Sequence, residues 1–178
     1  MHRVARIAAL CFLLSSCSGD AQGERTTASA ATSMPDTGTP ADSISAARDP
    51  VVVSGSVYVP VYSHIYYRDE HRFVNLAVTV SVRNTDADHP IAIRSVRYYD
   101  TSGALVRTYV AQPVRLGPMA TREFVVQEED SSGGSGANFL VDWSAAQRVT
   151  EPIVEAVMIG TTGGQGISFT SAGRALAR

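Results

Sequence analysis

Alternation of apolar and polar side chains is most regular between residues 73 and 83. One face of this stretch carries five apolar side chains: Val74, Leu76, Val78, Val80 and Val82. The other face carries polar ones: Asn75, Thr79, Ser81 and Arg83. A period of two with one polar face is typical of a strand in an antiparallel sheet that is half exposed to water. We therefore predict a strand over residues 73–83.

Shorter runs of the same kind occur on both sides of this strand, separated by turn-forming residues. They predict strands at residues 51–67, 91–99, 104–110, 121–127, 138–143, 153–159 and 167–170. Pro60 lacks a ladder donor, so the first run should be an edge strand or two short strands with a bend. The apolar parity changes within residues 91–99, which predicts a β-bulge near Arg94 and Ser95. Residues 153–159 are almost continuously apolar and fit a central strand, with a helix as the alternative.

Seven or eight short strands with regularly spaced turns predict an all-β fold, an antiparallel immunoglobulin-like β-sandwich, with a small barrel as the alternative. We expect a single domain over residues 51–171, with Trp143 in its core, and a frayed tail over residues 172–178. The glycine-rich runs SSGGSG and TTGGQG lack the Gly-Lys-Ser/Thr ending of a phosphate-binding loop. We interpret them as tight turns and points of close backbone approach.

The N-terminus has the pattern of a secretory signal. Arg3 and Arg6 precede a short apolar run that ends at Leu14-Ser15-Ser16-Cys17. The run is shorter than the roughly 20 residues that a membrane span needs. Its ending resembles the bacterial lipobox, in which the cysteine thiol receives diacylglycerol and the chain is cut before it. We predict a signal peptide over residues 1–16 and lipidation of Cys17; an ordinary signal cut elsewhere is the alternative.

The stretch from Cys17 to residue 50 is rich in small and polar residues and should form a disordered linker behind the lipid. The serine after Cys17, in place of aspartate, indicates the outer membrane if enteric sorting rules apply. We therefore expect a bacterial cell-envelope protein, held in the membrane by lipid and facing the periplasm. Since Cys11 leaves with the signal, no thiol remains for catalysis or zinc binding. The chain has a net charge of −2 and no basic patch, which argues against nucleic-acid partners.

One cluster could form a binding surface. Tyr62, His64 and Tyr66 share a parity, and Tyr67 follows them, so an aromatic and imidazole stripe could stack on a sugar ring or a peptide aromatic. The alternative is cross-strand packing of the tyrosines, with His64 bonded to a backbone group.

A second hypothesis uses His64 and His71, with acidic residues between them, for metal handling or hydrolysis. The spacing matches no known ligand pattern, and no Gly-x-Ser-x-Gly motif is present. We therefore predict no metal, no cofactor and no catalytic residue.

Five segments together resemble a family of uncharacterised bacterial lipoproteins, known only as a domain of unknown function. The segments are residues 57–66 (VYVPVYSHIY), 83–86 (RNTD), 98–100 (YYD), 132–139 (SGGSGANF) and 152–169 (PIVEAVMIGTTGGQGISF). The resemblance implies one domain behind a lipid anchor and supplies no activity. From the sequence we expect a non-catalytic binding or assembly module of the envelope, with a protein or glycan partner.

Overall fold

The computed structural model describes Ala46 and residues 49–177; the predicted signal peptide, Cys17 and most of the predicted linker lie outside the described residues. Residues 49–177 contain twelve strands and no helix. The strands are β1 (Val53–Pro60), β2 (His64–Tyr67), β3 (Asp69–Asn75), β4 (Ala77–Arg83), β5 (Ile91–Tyr99), β6 (Leu105–Val110), β7 (Val114–Leu116), β8 (Thr121–Val126), β9 (Asn138–Ala145), β10 (Ile153–Thr162), β11 (Gln165–Ala172) and β12 (Arg174–Ala175). Within the described residues, no helix is long and apolar enough to cross a membrane.

The strands form two main antiparallel sheets and a separate hairpin. One sheet has the order β12-β1-β9-β5-β6, with β7 paired to β5; the other has the order β11-β10-β4-β8; β2 pairs with β3 alone. Both sheets contribute to one hydrophobic core, with Val59, Ile93, Phe139 and Val141 from the first and Val78, Val80, Phe124 and Met158 from the second. The predicted all-β antiparallel sandwich is therefore confirmed.

The centre of the sandwich has the immunoglobulin pattern. β4 pairs with β8 in one sheet and β5 with β9 in the other, as the B–E and C–F pairs do in immunoglobulin domains. The outer strands differ, because β1 pairs with β9 and β10 pairs with β4. The first strand thus takes the place beside β9 that the last strand of an immunoglobulin domain takes.

Several local predictions are confirmed. The five apolar side chains of residues 73–83 are all buried, and β10 lies between β11 and β4 as a central strand. The register of β5 shifts between Ile93 and Ser95, where the bulge was expected. β1 ends at Pro60 and β2 begins four residues later, which is the predicted pair of short strands with a bend. Trp143 is 3% exposed and belongs to the core.

Two local predictions are wrong. The predicted strands end at residue 67 and resume at residue 73, which leaves the charged residues 68–72 as a turn, but β3 already begins at Asp69 and the chain reverses at Arg68, which has a φ of 69°. The tail from residue 172 was expected to fray, but Arg174 and Ala175 pair with Tyr58 and Val57 of β1. β7 and β12 were not predicted, and the runs 51–67 and 73–83 each divide into two strands, the second at Leu76, so the number rises from the expected seven or eight to twelve.

Candidate functional site

The hairpin of β2 and β3 places four side chains on one face. His64 lies opposite Asn75, and Tyr66 lies opposite Phe73. The intervening pair, Ile65 and Val74, packs against the core. Because successive side chains of a strand point to opposite sides, His64, Tyr66, Phe73 and Asn75 face away from the sandwich. We call these four residues the hairpin face.

Two large aromatic side chains dominate the hairpin face. Tyr66 is 56% exposed and Phe73 is 55% exposed. The His64 ring contacts both, with its centroid 5.4 Å from that of Tyr66 and 5.0 Å from that of Phe73. Edge-to-face and tilted contacts at these distances are favourable. The three rings therefore form one aromatic cluster, of which Tyr66 and Phe73 are open to solvent.

Two polar atoms of the hairpin face lack a hydrogen bond within the described structure. His64 Nδ1 and Asn75 Oδ1 are both shielded from solvent and unpaired. These atoms belong to the same cross-strand pair. A buried polar atom without a partner costs free energy, so native structures seldom leave one without a reason.

The predicted binding residues are only partly brought together. His64 and Tyr66 share the hairpin face, as their parity indicated. Tyr62 packs elsewhere, with its ring 5.8 Å from that of Phe169, because residues 61–63 between β1 and β2 do not continue the strand. Tyr67 is 40% exposed beside a shift in register, and the Arg68 guanidinium lies 5.1 Å from its ring centroid.

The two histidines of the alternative site are apart. His64 lies opposite Asn75, and His71 lies four positions from Asn75 along β3, about 13 Å at the rise of a strand. The His71 side chain is 84% exposed, and its Nε2 lies 3.7 Å from a Glu70 oxygen. In the part of the chain that the structure describes, no group of three or more His, Cys, Asp and Glu side chains could hold a metal ion.

The Arg-Asn-Thr-Asp motif at residues 83–86 has a structural role, because its polar side chains bond to neighbouring loops. Asn84 is buried, and its amide donates to the carbonyl groups of His89, Leu116 and Gly117. The Asp86 carboxylate accepts hydrogen bonds from the N–H groups of Thr150, Asp88 and His89, which lower its pKa to about 2. These polar groups join neighbouring loops and are satisfied by them.

A second polar cluster crosses the six-stranded sheet at Asp142. Its carboxylate accepts hydrogen bonds from the hydroxyls of Ser56 and Ser95 and from the Arg97 guanidinium. Burial opposes ionisation of Asp142, but these donors outweigh it and lower the pKa of the carboxyl. Three strands are thereby linked through one carboxylate, which gives this cluster a structural role.

The hairpin face therefore remains as the candidate site. Sequence reasoning missed Phe73 and Asn75, which it had placed in the strand of residues 73–83. Phe73 was the available signal, because the other large apolar residues of that run share the opposite parity.

Comparison with known proteins gives a family and no activity. No curated protein matches the chain. The crystal structure of Thermotoga maritima 1070 aligns with a TM-score of 0.40 and 7% sequence identity, covering 67% of this chain and 92% of that one. Residues 54–176 match the family described as "Protein of unknown function (DUF3124)". That match spans almost the whole described sandwich, and the chain belongs to this family.

Proposed function

We propose that the protein is a lipid-anchored component of the bacterial cell envelope that acts as a non-catalytic binding module through its hairpin face. The observation that carries the binding role is the pair Tyr66 and Phe73, two aromatic side chains that are more than half exposed opposite each other. Large aromatic residues are enriched where proteins bind partners. The partner is a protein or a glycan of the envelope.

The position of the hairpin also favours a role as a contact surface. It pairs with neither main sheet, and its aromatic face points away from the core that Ile65 and Val74 help to fill. Binding there would bury side chains without disturbing either sheet.

The anchor is supported by the sequence alone, through the Leu-Ser-Ser-Cys ending of the apolar run. With diacylglycerol on Cys17, the chain should sediment with membranes. Each buried methylene contributes about 0.8 kcal/mol, and two or more acyl chains hold a protein firmly.

The anchor is tested by comparing Cys17→Ala with Cys11→Ala. We expect mass spectrometry of the wild type to find a diacylglyceryl group on an N-terminal Cys17, and Cys17→Ala to carry neither the lipid nor the cut before residue 17. Cys11→Ala is the control and should stay in membranes. An unmodified N-terminus at another position in the mature wild type would refute the anchor.

The binding surface is tested by crosslinking in intact cells, with Tyr66→Ala and Phe73→Ala combined. We expect the double variant to lose the crosslinked partner that the wild type captures. Leu105→Ala, a 54% exposed apolar side chain on β6, is the matched control and should keep it. The same crosslinks in all three proteins would exclude the hairpin face as the contact.

A further inference from the structure

The last residues of the predicted linker are attached to the sandwich. Ala46 is 1% exposed, and its carbonyl accepts a hydrogen bond from Arg94 Nη1 over 3.0 Å. The Asp49 carboxylate lies 3.1 Å from Arg115 Nη1 as an ion pair. We call Ala46, Asp49 and Pro50 the linker end. Arginines of the paired strands β5 and β7 thus hold it at two points.

Packing places the linker end against the same part of the sheet. Asp49 and Pro50 line a cavity of about 260 Å³ together with Arg115, residues 90–92 and residues 144–147. The Val52 N–H then donates to the Ala145 carbonyl over 2.9 Å, just before β1 begins. An exposed ion pair contributes little by itself, so the hydrogen bond from Arg94 and this packing are the stronger contacts.

The linker end and the hairpin lie at opposite ends of β1. This strand begins at Val53, opposite Ala145, and ends at Pro60, opposite Asn138. Its eight residues span about 23 Å at the rise of a strand. Only residues 61–63 separate Pro60 from the start of the hairpin at His64. The length of the sheet therefore separates the hairpin face from the linker end.

We propose that Arg94 and Arg115 fix the point at which the tether leaves the sandwich, and that this point directs the hairpin face away from the anchoring membrane. The orientation rests on the proposed lipid anchor and on the proposed binding at the hairpin face. Residues 18–45 remain as the tether, and a flexible coil of that length has an r.m.s. reach of about 30 Å. Such a tether keeps the linker end near the membrane, so the opposite end meets its partner on the periplasmic side and not within the anchoring bilayer.

Trypsin measures the attachment of the linker end in the purified full chain. Trypsin cuts after arginine, and the predicted linker contains Arg25 and Arg48. Arg48 lies between Ala46 and Asp49 in sequence, so cutting there requires the linker end to open, and the rate follows the open fraction. We expect slow cleavage after Arg48 and rapid cleavage after Arg25 in the wild type. Arg94→Met, which keeps an apolar stem and removes the guanidinium, should speed cleavage after Arg48 about tenfold or more.

Two further variants complete this test. Asp49→Asn removes the charge that pairs with Arg115 and should speed cleavage after Arg48 by a smaller factor; because this side chain is 38% exposed, the variant also replaces Arg94→Met if that protein does not fold. Arg107→Met removes the exposed ion pair with Asp130 elsewhere and should be cut like the wild type. Melting temperatures show which variants are folded. Equal cleavage after Arg48 in the wild type, Arg94→Met and Asp49→Asn would overturn the attachment.

Energy transfer to a membrane measures the orientation. The lipidated full chain is placed in vesicles of phosphatidylethanolamine and phosphatidylglycerol that contain a lipid labelled with an acceptor dye. The donor dye is attached through Gln147→Cys, beside the linker end, or through Glu70→Cys, at a hairpin side chain that is 85% exposed. We expect stronger transfer from position 147 than from position 70. Equal transfer, or stronger transfer from position 70, would overturn the orientation.

The outcomes separate this inference from the proposed function. If Cys17 carries no lipid, the anchor and the orientation fail together, whereas cleavage by trypsin still decides the attachment. If position 147 lies nearer the membrane but no crosslink depends on Tyr66 and Phe73, the orientation stands and the binding role of the hairpin face fails.

Discussion

Single polar side chains hold the loops of this sandwich in place. Asn84 and Asp86 lie in a turn dense in Asn and Asp, which the sequence marks as a turn. The sequence does not indicate that the Asn84 amide is buried and bonded to three carbonyl groups. Those carbonyls belong to His89 nearby and to Leu116 and Gly117 over 30 residues away, so the role of Asn84 depends on the tertiary fold.

Stability should fall in acid because of Asp86. Its pKa is about 2 in the folded protein against an ordinary value of 3.8, since backbone N–H groups bond to the ionised form. The unfolded chain therefore binds more protons between these values, and the contribution of Asp86 to stability, complete above about pH 4, is lost as the pH falls towards 2. Urea unfolding at a series of pH values measures this loss.

The matched variants are Asp86→Asn and Asp88→Asn. Asp86→Asn should be less stable at neutral pH and should lose less stability than the wild type between about pH 4 and 2. Asp88→Asn keeps the Asp86 carboxylate and should follow the wild-type curve. If the free energy of unfolding of Asp86→Asn fell with pH as steeply as that of the wild type, Asp86 would not be the cause of the acid sensitivity.

At the scale of elements, the loop of residues 131–136 illustrates why glycine is required. A Cβ on Gly133 would overlap the Tyr98 hydroxyl oxygen and lie 2.6 Å from Tyr98 Cζ and 2.7 Å from Ala137 Cβ. Tyr98 is fully buried, and its ring stacks on Phe139 with centroids 4.9 Å apart. The loop therefore closes over a ring that cannot move aside.

Gly133→Ala should destabilise the fold by about 1–3 kcal/mol, because an added methyl group in a tight core site forces its neighbours to shift. Gly166→Ala is the control, since a Cβ there meets open space. Chemical denaturation of both variants measures the difference. Equal stability of Gly133→Ala and wild type would show that the loop relaxes freely.

Elements with a buried alternating face could be predicted from the sequence, whereas the hairpin could not. Val78, Val80 and Val82 mark β4 by their period. The first residues of β3 are charged and exposed, so no hydrophobic pattern identifies them as a strand. The register that brings Phe73 opposite Tyr66 depends on a reversal at Arg68, whose positive φ is more usual for Gly, Asn or Asp. The candidate site was thus half predicted, with His64 and Tyr66 found and their cross-strand partners missed.

For the whole molecule, the pairing of β1 with β12 joins the two ends of the sandwich. Val57 and Tyr58 pair with Ala175 and Arg174, and the Leu176 N–H donates to the Ser56 carbonyl. On this side β12 covers the part of β1 that would otherwise be a sheet edge, and uncovered edges promote association between chains.

Truncation after Gly173 should lower the melting temperature and cause concentration-dependent association. The loss of a few backbone hydrogen bonds costs about 1–2 kcal/mol, and β1 becomes available to another chain. Truncation after Ala177, which retains β12, is the control. Size-exclusion chromatography at two concentrations detects association, and a monomeric truncated protein with unchanged melting would show that β12 protects nothing.

The pairing of β1 with β12 also fixes a minimum time between the synthesis of β1 and the completion of its sheet. A ribosome adds about 5–20 residues per second, so the roughly 120 residues between β1 and β12 take about 6–24 seconds to appear. Throughout that interval β1, which contains Val57 and Val59, lacks strands to pair with, because its other partner β9 also lies late in the chain. The incomplete chain thus exposes an unpaired β1 throughout this interval, and unpaired strands promote association between chains.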